Sequence, residues 1–169
     1  GELFFPTGLA MSPDDRVLFA LSANSDLRYD SGTINVIDVE LVHAEVIAAR
    51  GNVIDASRCR ADLDTPGAIE CEAAPFMIPG AGVRVGNFAS SLAVQDKGGG
   101  NLRLIVPVRG DPSVTWIEWD GATRQLDCGG GSGFELCADD HRLTQMREDA
   151  DLPELVDEPY DVTVDSVTG

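Results

Sequence analysis

Positive charge, histidine and long apolar runs are all scarce in this chain. Lys and Arg together number 12 against 29 Asp and Glu, which leaves a net charge of −17 over 169 residues. A protein that tracks a phosphate backbone needs a basic stripe, so nucleic acid is not an expected partner. The same imbalance argues against an anionic membrane surface. No apolar run reaches the ~18 residues of a membrane span. His43 and His141 are the only histidines. Neither has a ligand set beside it in the sequence, so haem ligation and an imidazole base find no support. There is no Gly-x-Ser-x-Gly elbow, and Gly98 to Gly100 and Gly129 to Gly131 lack the helix and lysine of a phosphate loop.

What remains is globular: 43% hydrophobic and 24% charged residues, with 18 Gly and 9 Pro as turn punctuation. That combination suits an all-β protein of many short strands. The acids are scattered through turns, where they keep the surface soluble rather than build a site.

One phrase recurs three times. It reads Phe5-Pro6-Thr7-Gly8-Leu9-Ala10-Met11-Ser12, then Phe88-Ala89-Ser90-Ser91-Leu92-Ala93-Val94-Gln95, then Glu158-Pro159-Tyr160-Asp161-Val162-Thr163-Val164-Asp165. Each copy has apolar residues two apart, which is the period of a strand. After the first copy, Ser12-Pro13-Asp14-Asp15 is a turn, Arg16 to Ala23 a strand apolar on both faces, and Thr33 to Val39 a β-branched strand. Leu41 to Ala49 is open between helix and strand. Val83 to Phe88 reads as a fourth strand. The second copy repeats the order, with strands over Leu102 to Val108 and Val114 to Trp119 and a weak fourth around Arg142 to Met146. Leu9 and Leu92 are 83 residues apart, and Leu92 and Val162 are 70 apart. Both spacings exceed common four-stranded repeats, and each excess falls after the third strand.

The four cysteines form two local pairs, Cys59 with Cys71 and Cys128 with Cys137, at spacings unlike a zinc knuckle. Two loop-closing disulfides, and hence a periplasmic or extracellular setting, are expected. Four free thiols in a reducing compartment are the competing arrangement. No secretory leader is expected within these residues, because Gly1 leads directly into a strand phrase; a leader or a lipoprotein anchor would lie upstream.

Pro6-Thr7-Gly8-Leu9-Ala10-Met11-Ser12-Pro13-Asp14-Asp15, the strand to Asn24, and Ser31-Gly32-Thr33-Ile34-Asn35-Val36-Ile37-Asp38 resemble one blade of the bacterial β-propellers of the YVTN and lactonase-like group. Asp15 stands where that pattern has Gly. The resemblance is close over 5–39, looser over 88–120, and confined to an opening strand over 158–169. The stapled loops depart from a minimal blade and suggest a larger secreted or surface-anchored protein. The resemblance implies an all-β fragment of four-stranded antiparallel blades: one blade over about 5–88, a second over about 89–157, and the first strand of a third from 158.

In such a fold the loops joining second to third strands open on the ligand-binding face. They offer Asp26, Arg28, Tyr29 and Asp30 from one loop and Arg109 and Asp111 from the other as a binding rim. Arg109-Gly110-Asp111 matches an adhesion tripeptide, but Gly-Asp-Pro is ordinary turn chemistry. Trp116 and Trp119 should face opposite ways, one into the core and one towards a neighbouring blade. Asp62-Leu63-Asp64-Thr65-Pro66-Gly67 carries part of a calcium loop, with Asp139-Asp140 and Asp149 to Asp151 also acidic. No catalytic residue and no cofactor beyond one structural calcium are expected. The functional expectation is a non-catalytic binding or scaffold module of an extracytoplasmic protein. The alternative is a lactonase-like hydrolase with a metal at the central channel. As partner, the rest of the propeller or another protein chain should cover the open blade edges.

Overall fold

The computed structural model describes residues 3–51, 53–130, 134–144 and 158–165. The chain is mostly β. Its elements are β1 (Pro6–Met11), β2 (Val17–Ser22), β3 (Gly32–Asp38), α1 (Val39–Arg50), β4 (Cys59–Ala61), β5 (Ile69–Cys71), β6 (Val83–Val85), β7 (Ala93–Gly98), β8 (Asn101–Val108), β9 (Ser113–Asp120), β10 (Gln125–Asp127) and β11 (Arg142–Thr144). Single 3-10 turns cover Ala74–Phe76 and Asp139–His141.

Two antiparallel sheets carry the fold. The first has the order β1-β2-β3-β6. In the second, β7, β8 and β9 follow one another, and β9's far edge is shared by β10 at Glu118–Asp120 and β11 at Ser113–Thr115. The Cys128–Cys137 disulfide closes the loop that divides this outer strand in two. Cys59 and Cys71 face each other in a separate two-stranded hairpin, joined by the other disulfide.

Alternation along the strands sets the core. Val17, Phe19 and Leu21 of β2, Ile34 and Val36 of β3, and Val83 and Val85 of β6 share one face of the first sheet. They meet Leu102, Leu104, Val106 and Val108 of β8 and Ile117 and Trp119 of β9 in one buried cluster. Phe19 and Trp119 touch edge to face at 5.4 Å between ring centres. At Gly86 the sheets approach so closely that a Cβ would stand 2.5 Å from Val108 Cγ1, so only glycine fits there.

Local chemistry explains the joins. In the β1–β2 turn, Ser12 Oγ accepts from Val17 N at 3.0 Å, and Asp15 adopts φ 58°, the left-handed conformation that favours the Gly of the blade pattern. Asp38 ends β3 and caps α1, accepting from Glu40 N at 3.0 Å and Leu41 N at 3.3 Å. That cap resolves 41–49 as helix. Arg124, from the β9–β10 turn, holds the same carboxylate at 2.9 Å.

Several expectations change. The β7 strand begins after Leu92 and runs to Gly98. Of the expected fourth strand, Arg142–Thr144 is present, while 145 and 146 lie outside the described residues, as do Asp149 to Asp151. Residues 158–165 form no strand, because no second strand among the described residues offers them a ladder. Leu9 and Met11 are 63% and 42% exposed, whereas their counterparts Leu92 and Val94 pack against the core.

The three phrase copies touch in series. Phe5 and Phe88, first in their copies, both have left-handed φ, 47° and 57°. Their carbonyls accept from the residue that follows the next strand, Ala23 N at 3.3 Å and Arg109 N at 3.4 Å. Thr7 Oγ1 donates to Ala89 O at 2.9 Å, and Ser90 Oγ donates to Tyr160 O.

Candidate functional site

Asn24 organises the loop between β2 and β3. It is buried, with φ 52°; its Oδ1 accepts from Tyr29 N at 3.0 Å, and its Nδ2 donates to Tyr29 O at 2.6 Å and to Asn87 Oδ1 at 2.7 Å. This is an Asx-type closure, and it also ties the loop to the segment entering the second copy. Arg28 lies 5.7 Å above the Phe4 ring and 3.5 Å from Asp26.

A recess of about 580 Å³ opens beside this loop. Arg28, Tyr29 and Asp30 line it, together with Arg84 and Phe134. Its floor is the first sheet's outer face, where Ser22, Thr33 and Asn35 alternate with core residues. Ser22 is 3% exposed, and its hydroxyl has no hydrogen-bond partner among the described residues. Asp26 does not line the recess; its carboxylate holds the loop through Arg28 N at 3.2 Å.

The loop after β8 is built differently. Arg109 does not face this recess: it pairs with Glu158 at 3.0 Å and lies 5.1 Å from the Tyr160 ring centre, so it secures the third phrase copy. Asp111 pairs with Arg142. Asp30 and Asp111 do come together, lining a cleft of about 170 Å³ between the sheets with Asn87 and Thr115. Thr115 is 1% exposed, and its hydroxyl too is unpartnered among the described residues. Arg84, Ser22, Asn35 and Thr115 were not legible as site residues, although polar residues at buried strand positions are the signal that marks them.

The two tryptophans do face opposite ways. Trp119 is core, while Trp116, on the second sheet's outer face, stacks on His141 at 5.6 Å between ring centres. His141 Nδ1 lies 3.0 Å from Trp116 O. At the calcium-like loop, Asp62 Oδ1 accepts from Asp64 N at 2.8 Å and Thr65 N at 2.7 Å. The amides of Thr65 and Asp64 hold its carboxyl below the usual aspartate range, so this carboxylate closes a turn. Among the described residues no three His, Cys, Asp or Glu side chains converge as a metal site. No helix among them is long and apolar enough to cross a membrane.

Comparison with protein-family models, curated proteins and solved structures finds no match to this chain. What the geometry defines is a mostly β protein of two face-packed antiparallel sheets with two disulfides, which suggest an oxidising, extracytoplasmic setting.

Proposed function

We propose that this chain is part of a β-propeller of the YVTN and lactonase-like kind, and that it acts as a non-catalytic binding or scaffold module outside the cytoplasm. Two sheets with the same strand order, packed face to face, support the reading. The observation that carries it is the serial contact between phrase copies, first Thr7 on Ala89 and then Ser90 on Tyr160. A radial stack brings each copy against the next at every step; the donor holds the third place of its copy both times, while the acceptor moves from the second place at Ala89 to the third at Tyr160.

The reading assigns a partner to the first sheet's outer face. Leu92 and Val94 are covered by the first sheet, while Leu9 and Met11, at the same places in the preceding copy, are bare. Their natural cover is a further sheet of the same construction, presenting its own apolar face. Without that cover, copies of this chain associate through the bare face.

Light scattering tests this. The expected result is a concentration-dependent mass above the 17.9 kDa of one chain, returning to that value in a Leu9→Glu, Met11→Glu double variant. A concentration-independent monomer for the unmodified chain contradicts the reading.

A further inference from the structure

We propose that the recess beside the Asn24–Ser31 loop binds a small molecule carrying one carboxylate on an apolar, ring-sized body. This deepens the binding-module reading by naming the ligand class. The volume, about 580 Å³, lies within the range of small-molecule sites.

Arg84 decides the charge. Eight described arginines have a carboxylate within 4 Å. Arg84, like Arg50 at the end of α1, has none among the described residues. It is half-buried, and its Nε donates to Ser31 Oγ at 2.9 Å, which fixes the guanidinium at the recess wall. A planar, fixed guanidinium without an internal anion is matched by a carboxylate, which it grips with two parallel hydrogen bonds.

The remaining surface sets the body and limits the charge. Phe4 and Tyr29 meet edge to face at 5.0 Å, and Phe134 adds a third ring to the lining. Thr33 and Asn35 on the lining supply a polar floor for a second hydrogen bond. Arg28 on the same lining is already paired with Asp26, and Asp30, exposed beside it, repels further negative charge, so a monocarboxylate is favoured over a phosphate or dicarboxylate.

A sheet covering the face would narrow the site. Between the two stacked sheets, where Thr115 on β9 takes the place that Asn35 has on β3, a cleft of about 170 Å³ persists.

The test is a titration of the full chain with phenylacetate and with its neutral isostere phenylacetamide, followed by amide and arginine side-chain NMR shifts. Phenylacetate should move Ser22, Asn35 and Arg84, and the amide should bind about tenfold more weakly. Arg84→Gln should lower phenylacetate affinity by about tenfold while the melting temperature holds. Should that variant unfold, Asp30→Asn replaces it, and there phenylacetate should bind more tightly. Equal binding of acid and amide overturns the proposal. So does unchanged affinity in folded Arg84→Gln, no gain in Asp30→Asn, or no shift at about 10 mM probe. Repeating the titration on the Leu9→Glu, Met11→Glu double variant, whose changes lie outside the recess lining, keeps self-association out of these readouts, so failure here leaves the stacked-sheet reading standing.

Discussion

Thr7 and Ala89 are joined by a 2.9 Å hydrogen bond from hydroxyl to carbonyl, across 82 residues of chain. The bond links the first strand of one sheet to the segment entering the other. Removing it with a near-isosteric change isolates its worth: Thr7→Val should lower unfolding free energy by about 0.5–1 kcal/mol in urea titrations. Ser90→Ala, which breaks the bond to Tyr160, should leave global stability nearly unchanged. It should instead speed amide exchange in 158–165, because that segment contributes no strand to either sheet.

Phe19 and Trp119 lock the sheets face to face. Phe19 is fully buried, so Phe19→Ala should cost about 3–5 kcal/mol and Phe19→Leu distinctly less. In a Trp116→Phe background, Trp119 alone reports on the core. Its emission should be blue-shifted, then move to the red in step with unfolding of both sheets. Separate transitions for the two sheets would mean the core is not shared.

Asp38 couples stability to pH. Burial pushes its carboxyl up, but the hydrogen bond from Arg124 and the amides of Leu41 and Glu40 outweigh that, and the net direction is down. A group depressed in the folded state contributes stability that is fully present above its unfolded value, near 3.8. That contribution is lost as pH falls through the lower folded value. Asp38→Asn, which keeps a capping oxygen but removes the charge facing Arg124, should therefore lower stability at neutral pH, with the difference from the unmodified chain shrinking in acid. Thermal melts from neutral pH down to about pH 2 check the sign.

The disulfides should differ in access. Cys128 and Cys137 are both buried within the core cluster, and Cys137 N donates to Arg84 O at 3.0 Å, tying the second sheet's loop to β6. Cys71 is exposed on its hairpin. Brief reduction followed by alkylation and mass mapping should label Cys59 and Cys71 first. Replacing Cys128 and Cys137 by Ala should cost about 2–3 kcal/mol from loop closure, plus the lost core packing.

Strand periodicity made the sheets readable. Val17-Leu18-Phe19-Ala20-Leu21 announces a strand buried on both faces, and the structure buries four of those five residues. The Ser12-Pro13-Asp14-Asp15 turn was equally plain, because its side chains act on their own backbone. The divided outer strand was not, since Gln125–Asp127 is too short to show a period. Burial of Leu9 depends on what lies across from the sheet, which local pattern cannot encode.

For the recess, the loop residues Arg28, Tyr29 and Asp30 were legible by position. Arg84 reaches the same wall from 53 residues beyond Ser31, and only sheet pairing brings it there. Arg109 was offered by the same loop position, and its partners, Glu158 and Tyr160, belong to the next phrase copy, which local pattern does not show.

The serial packing of phrase copies is tested most directly by nuclear Overhauser contacts from Ser90 and Arg109. The account predicts cross-peaks from Ser90 Hβ to Tyr160 and from the Arg109 side chain to the Tyr160 ring. Random-coil shifts throughout 158–165, with no cross-peak to either residue, would contradict it.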